Sequence, residues 1–510
     1  MGDLAQQNNN AVPAPSYASI TDGYQSALKV VDDVILKNYI SELTKMEVVP
    51  LDQSVIESNM DKNVCFFKIT EMVYEKDEFA PYKFASVFNI LSMAESSIFI
   101  IIDSDGVKTD FYMGVRSPEG SPYPAGKMSN IVEDAMKAYF PGMKTPEKQY
   151  DIDEMKKIVS GIKEKNISAV SCVANNREQN NATNQTFVQG LEKLVLSMQH
   201  EKYTGIIIAN GTTQTQLKEL RRGYETVYTQ LSALATTQVN YTSNNSFNYA
   251  VAETKGNSTA KSEQKNWSES HNHSEQSGSS TQHGISKESV AGKTIKGVAS
   301  AASILGAALA PVTGGASLVV GGVVSGGLGL LGSAISSNVS DSTTTNQSVT
   351  DGFSTVQGGS SGITESVNYG ITKTEGLTRG ISEGMTLTLH DKSIEDTLAR
   401  IDRQLKGIDE FESLGMDEWA AYFLSDDSSA EIAASTYKAL MRGENSGVEI
   451  AAINSWGQGK ETDTKLIAQY VKNFIHPVFQ YDGVAGNIEV TPCSLVSGNE
   501  LSIHMGLPRK

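Results

Sequence analysis

Few short runs in this chain carry residues that could do chemistry. Ala291-Gly292-Lys293-Thr294 matches the end of a phosphate-binding loop, where backbone N–H groups wrap phosphate oxygens and a lysine reaches the outer phosphates. That loop needs a glycine five residues before Gly292 and a buried strand leading into it. Position 287 is Lys and the preceding stretch is polar, so Lys293 and Lys296 read instead as the boundary of an apolar segment. Asp103-Ser104-Asp105-Gly106 offers two carboxylates after an apolar strand, and it reads as a hairpin turn whose Asp side chains hold local N–H groups. His271, His273 and His283 share odd positions; two imidazoles at i and i+2 on a strand could bind a metal, but a solvated strand face is the preferred reading. Asp426-Asp427 is placed to cap the helix that follows. These patterns predict no catalytic residue, no cofactor and no metal in this chain.

The elements that would position such residues are unusual between Asn240 and His390. From Asn240 to Ser286 the charges are Glu253, Lys255, Lys261, Glu263, Lys265, Glu269 and Glu275. From Ser340 to His390 they are Asp341, Asp351, Glu365, Lys373, Glu375, Arg379 and Glu383. All fall on odd positions, while the even positions are small or polar, with Val356 the large exception. A period of two is that of a β-strand, and a disordered linker has no reason to keep it. The second stretch adds glycines at Gly362, Gly370, Gly376, Gly380 and Gly384, each followed by an aliphatic residue and then Thr or Ser. Their spacings are all even, so the glycines share one face. At roughly 3.3 Å per residue the first arm would span about 155 Å, the length of a stalk. Even positions such as Ser258, Ser262, Gly362, Gly370, Gly376, Gly380 and Gly384 are expected to line its lumen.

Between the arms, Gly297 to Ser340 has no charged residue, and Pro311 to Gly315 breaks it into two apolar segments. Small residues recur at four-residue spacing: Ala302, Gly306 and Ala310 in the first segment, Gly321, Ser325, Gly329 and Ser333 in the second, with Gly322 and Gly326 beside them. Such spacing lets helices approach closely in lipid. The expected fold is therefore an α/β or α+β body with a very long inserted β-hairpin stalk, tipped by an apolar helical hairpin inserted in a lipid bilayer. The corresponding segments are an α/β domain over 1–238, an ascending arm over 239–290, a glycine-rich tip over 291–338, a descending arm over 339–390, and the rest of the body over 391–510.

The net charge of −17 argues against general nucleic-acid binding, since no basic block offsets it. Cys65, Cys172 and Cys493 are sparse and lack framework spacing, which suits a reducing compartment. The N-terminal stretch has neither a basic nor an apolar region of the signal-peptide kind, so a cytoplasmic body is expected, joined to the membrane through 291–338. Strand and helix patterns alternate in both flanks, as at Val64 to Val73, Ser97 to Ile102, Tyr203 to Ala209 and Trp419 to Leu424 for strands, and Thr215 to Leu234 and Ile394 to Phe411 for helices.

Three blocks carry a family resemblance: Leu217 to Leu231 (LKELRRGYETVYTQL), Glu412 to Gly447 around WAAYFLSDD, and the terminal stretch from Ser494 to Lys510. Together they resemble the N-terminal, non-catalytic region of bacterial HerA/FtsK-like ATP-binding proteins, related more loosely to conjugative-transfer ATPases. The resemblance implies the front half of a hexameric ring, with an ATPase motor following the last block or supplied separately. The chain has no complete phosphate-binding loop of its own, so no catalytic residue carries over. The function expected is the assembly and membrane-conduit portion of a translocase-like ring; the alternative is a self-sufficient pore-forming or tethering protein.

Overall fold

A computed structural model describes Val31 and residues 36–73, 80–91, 96–147, 150–174, 190–242, 246–251, 367–374, 384–411, 415–442, 450–483 and 486–508. The chain divides into two compact units. The larger is built around Val31–Tyr224 and Arg403–Lys510. It opens with a 3-10 helix Asn38–Lys45, then β1 (Glu47–Val48), α1 (Gln53–Lys62), β2 (Val64–Ile69), α2 (Ala80–Asn89), β3 (Ser97–Asp105), β4 (Thr109–Arg116), α3 (Ala125–Tyr139), α4 (Ile152–Ser160), β5 (Asn166–Ser171), α5 (Gly190–Ser197), β6 (Lys202–Thr212) and α6 (Gln214–Ala235).

The smaller unit centres on Glu225–Ser274 and Ala302–Asp402, and its strands are β7 (Thr236–Thr242), β8 (Ser246–Val251), β9 (Val367–Thr374) and β10 (Gly384–Asp391). After α7 (Lys392–Phe411) the larger unit resumes with β11 (Met416–Ser425), α8 (Ser429–Met441), β12 (Ala452–Trp456), α9 (Glu461–Lys472), β13 (Phe479–Gly483), β14 (Gly486–Val490), β15 (Ser494–Ser497) and α10 (Gly498–Met505).

The larger unit is a sheet covered on both faces. Its strands run in the order β12-β5-β11-β6-β3-β4-β2, all antiparallel, with β15 paired to the start of β11. The unbroken apolar run Ile98–Ile102 explains why β3 is central: alternate side chains must be buried on opposite faces. Ile98, Ile100 and Ile102 meet α2, α3, α5, α8 and α10, while Phe99 and Ile101 meet the 3-10 helix, α1, α4, α9 and the small sheet β1-β13-β14. Strand β11, from beyond the long insertion, lies between β5 and β6 from before it, so the two flanks share one sheet. On the second face, Phe474 stacks on Phe99 at 3.7 Å, and Phe66 meets both edge-on. Gly114 makes room for them: a Cβ there would lie 2.3 Å from Phe99 Cζ and 2.4 Å from Phe66 Cβ.

The smaller unit corrects the stalk. Each arm folds back on itself instead of running on as one long strand. Strand β7 pairs with β8, Thr242 opposite Ser246, and β9 pairs with β10, Thr374 opposite Gly384. The arms meet through β7 and β10, Thr236 opposite His390, giving the open order β8-β7-β10-β9. A two-stranded ribbon is marginal in water, whereas four strands give one wide face to bury. The strands are short, and the sheet is not closed into a barrel. No helix among the described residues is long and apolar enough to cross a membrane. The expectations of a long stalk, an apolar helical hairpin, a β-barrel, membrane insertion, a glycine zipper and a pore are therefore withdrawn. What the structure supports is a mixed α/β body with antiparallel sheets.

Candidate functional site: an amphipathic four-stranded sheet

The residues expected at the tip, Ala302, Gly306, Ala310, Gly321, Gly322, Ser325, Gly326, Gly329 and Ser333, lie outside the described residues. So do Ser258, Ser262, Gly362, Gly376 and Gly380, together with the three histidines His271, His273 and His283 and the run Ala291 to Thr294. Gly370 and Gly384 are described: Gly370 lies opposite Thr388, and Gly384 lies between Thr242 and Thr374.

Asp103-Ser104-Asp105 ends β3, and Gly106 opens the β3–β4 turn. Asp105 Oδ1 accepts from the Val107 and Lys108 N–H groups at 2.8 and 2.7 Å, which lowers its pKa, and Gly106 has φ +86°. Asp110, which the sequence pattern did not single out, lies directly opposite Asp103. Burial pushes the Asp103 carboxyl up, with the Thr204 hydroxyl donating to it at 3.1 Å. Burial also acts on Asp110, but Lys108 and Lys68 outweigh it and hold that carboxyl down. The Lys68 ammonium also lies 5.6 Å from the centre of the Tyr112 ring. Two carboxylates displaced in opposite senses could divide acid and base roles. Here, however, the upward shift of Asp103 comes from burial and the downward shift of Asp110 from the lysines Lys68 and Lys108, as they would where a strand pair packs and neutralises its own carboxylates. Asp427 accepts from the Ser429 N–H at 2.9 Å, at the start of α8.

The deepest titratable groups sit on either side of β11. Tyr422 meets His476 Nδ1 at 2.7 Å on one face. On the other, Tyr437 meets His504 Nδ1 at 3.0 Å and donates to the His504 carbonyl at 3.1 Å. Burial holds His476 at about 3 and His504 well below its usual range, so both are neutral near pH 7. The Asp417 carboxyl has no hydrogen-bond partner among the described residues; the residue is 5 % exposed, and burial raises its pKa to about 7. The two Tyr–His pairs are fully buried, one on each face of the large sheet. Among the described residues no group of three or more His, Cys, Asp or Glu is arranged to hold a metal.

The sheet β8-β7-β10-β9 is different in kind, because its two faces are chemically distinct. Partners always share parity, so odd positions fall on one face and even positions on the other. Read across the strands, the odd face has the rows Val251, Thr237, Leu389, Tyr369, then Tyr249, Val239, Leu387, Ile371, then Phe247, Tyr241, Met385, Lys373, with Val367 and Asp391 at one end. Only Thr237, Lys373 and Asp391 among these are polar. The even face is Thr, Asn, Ser, Gln and Gly, with Ala250 and His390. Antiparallel sheets with this segregation bury one face and hydrate the other. Among the described residues the four strands make their main contacts with one another. Comparison with protein-family models, curated proteins and solved structures finds no match to this chain, and the HerA/FtsK-like resemblance stays an expectation.

Proposed function

We propose that the chain is a non-catalytic assembly protein, the framework portion of a translocase-like homo-oligomer, whose copies join edge to edge through the sheet β8-β7-β10-β9. The carrying observation is that this sheet has four strands in strictly antiparallel order, so β8 and β9 run in opposite directions. Laying β9 of one copy beside β8 of the next continues the antiparallel ladder without turning either copy over. Neither end strand contains proline, and together they carry one charged position, Lys373. Among the described residues they are the end strands of this sheet, and they lack two devices that commonly blunt a free edge. A head-to-tail contact of this kind closes into a ring or runs on as an open array, according to the rotation per copy. An ATPase motor is the partner such a framework would serve.

Proline scanning tests the edge. Successive residues of an antiparallel strand direct their N–H groups alternately to either side. Of Asn248 and Tyr249 in β8, one therefore faces β7 and the other faces the open edge. One of the variants Asn248→Pro and Tyr249→Pro should reduce the full chain to smaller species by mass photometry while the larger unit stays folded. A full chain that is monomeric from the start, or an oligomer that survives both prolines, would refute edge pairing.

A further inference from the structure

We infer that the larger unit holds a binding site for a small monocarboxylate anion, gripped by the Arg116 guanidinium on the second face of the main sheet. The site lies apart from the assembly sheet and uses none of its strands. Arg116 in β4 is opposite Ser97 in β3, and Ser97 is opposite Asn210 in β6. These three stand two residues along from Gly114, Phe99 and Ile208, so they share the face that Phe99 and Ile208 bury. A polar row thus closes one end of an apolar face. Glu418 continues the row in β11 and has interactions of its own.

The guanidinium is positioned but not neutralised. Its Nε donates to Asn59 Oδ1 at 3.1 Å, and Asn59, fully buried, donates in turn to the Asn473 carbonyl at 2.9 Å. Of its five N–H groups, the four on Nη1 and Nη2 have no acceptor among the described residues. Arg116 is partly exposed, which leaves a way in. Burial of its charged end nevertheless lowers its pKa to about 10, so it stays ionised at pH 7. The one carboxylate whose charge reaches it is that of Glu119, an exposed residue that forms no ion pair with it among the described residues. Two buried groups on the same face, His476 Nε2 and Thr212 Oγ1, also lack hydrogen-bond partners. His476 is near enough for the Arg116 charge to add to burial in lowering its pKa, and Thr212 follows Asn210 on the same side of β6. Buried polar groups left unmet in a folded protein call for something that meets them. A planar fork of parallel N–H groups fits a carboxylate in bidentate fashion. With no second cation acting on Arg116, one negative charge matches the site better than the two of hydrogen phosphate.

Acetate is the probe, titrated into the full chain at pH 7 and constant ionic strength, with saturation-transfer NMR on its methyl protons as the readout. Binding should saturate. Arg116→Gln should weaken it by more than about 10-fold, through loss of charge-assisted hydrogen bonds. Arg116→Lys keeps the charge and loses the fork, and should weaken it by at least about 3-fold. Arg442→Gln, at an exposed arginine outside the row, should leave it unchanged. Circular dichroism checks each variant, and if Arg116→Gln does not fold, Arg116→Lys carries the test. Absence of saturable acetate binding to the wild-type chain overturns the inference. So does equal affinity in Arg116→Lys and wild type, or an equal loss in Arg442→Gln. Phosphate that displaces acetate at the same or lower concentration overturns the monocarboxylate assignment.

Discussion

Asp417→Asn should make the larger unit more stable at neutral pH and leave it no better in acid. The carboxyl sits on β11 between β6 and β15, almost fully enclosed and without a hydrogen-bond partner among the described residues. Burial raises its pKa from 3.8 to about 7. A carboxyl whose folded pKa is raised is protonated in both states below pH 3.8, and costs nothing there. As pH climbs from about 4 to 7 the unfolded chain ionises while the folded chain holds its proton, so stability is lost across that window. A shift of about 3 units corresponds to about 4 kcal/mol at roughly 1.4 kcal/mol per unit. Asparagine keeps the shape and cannot ionise; its own desolvation cost does not vary with pH. The stability of Asp417→Asn relative to wild type should therefore rise by about 4 kcal/mol between pH 4 and pH 8. Urea unfolding followed by the fluorescence of the buried Trp419 and Trp456 measures it. Stability–pH curves that run parallel, within about 1 kcal/mol, would refute the assignment of an ionisable, enclosed Asp417.

His476 should act on the opposite limb. Held at about 3 by burial, it contributes stability that is present above pH 6.5 and lost as pH falls from 6.5 toward 3, so His476→Gln should flatten the acid limb of the same urea experiment. Gly114→Ala should cost about 1–3 kcal/mol in thermal or urea unfolding, because its methyl group meets the Phe66–Phe99 pair, and Gly114→Val should cost more.

The larger unit was legible where apolar runs were long. Ile98–Ile102, Tyr203–Ala209 and Trp419–Leu424 all announce strands, and they lie side by side as β3, β6 and β11. The 3-10 helix, α1 and β12 to β15 gave no comparable signal, because their buried positions are few and interrupted by polar residues. The turn at Asp105-Gly106 was readable, whereas Asp110 opposite Asp103 follows from register, which local sequence does not express. The two arms teach the sharper lesson. Thr242 pairs with Ser246 across three residues and Thr374 with Gly384 across nine, and an odd number of intervening residues preserves parity. The odd–even alternation therefore reads the same for one long strand and for one folded back on itself.

The position of β11 also sets a timetable for biogenesis. When β6 leaves the ribosome its neighbour on one side, β3, already exists, but the strand that must fill the other side begins only at Met416. About two hundred residues separate them, and at roughly 5–20 residues per second the nascent chain waits about 10–40 s. For that interval the β6 edge at Ile206, Ile207 and Ile208 lacks its neighbour in the finished sheet, since β5 pairs with β11 and not with β6. Such an edge invites pairing with neighbouring nascent chains on the same polysome. A ribosome that stalls inside the insertion would strand the body half-built. Holdase capture during this interval is thus a demand that the topology itself places on the cell.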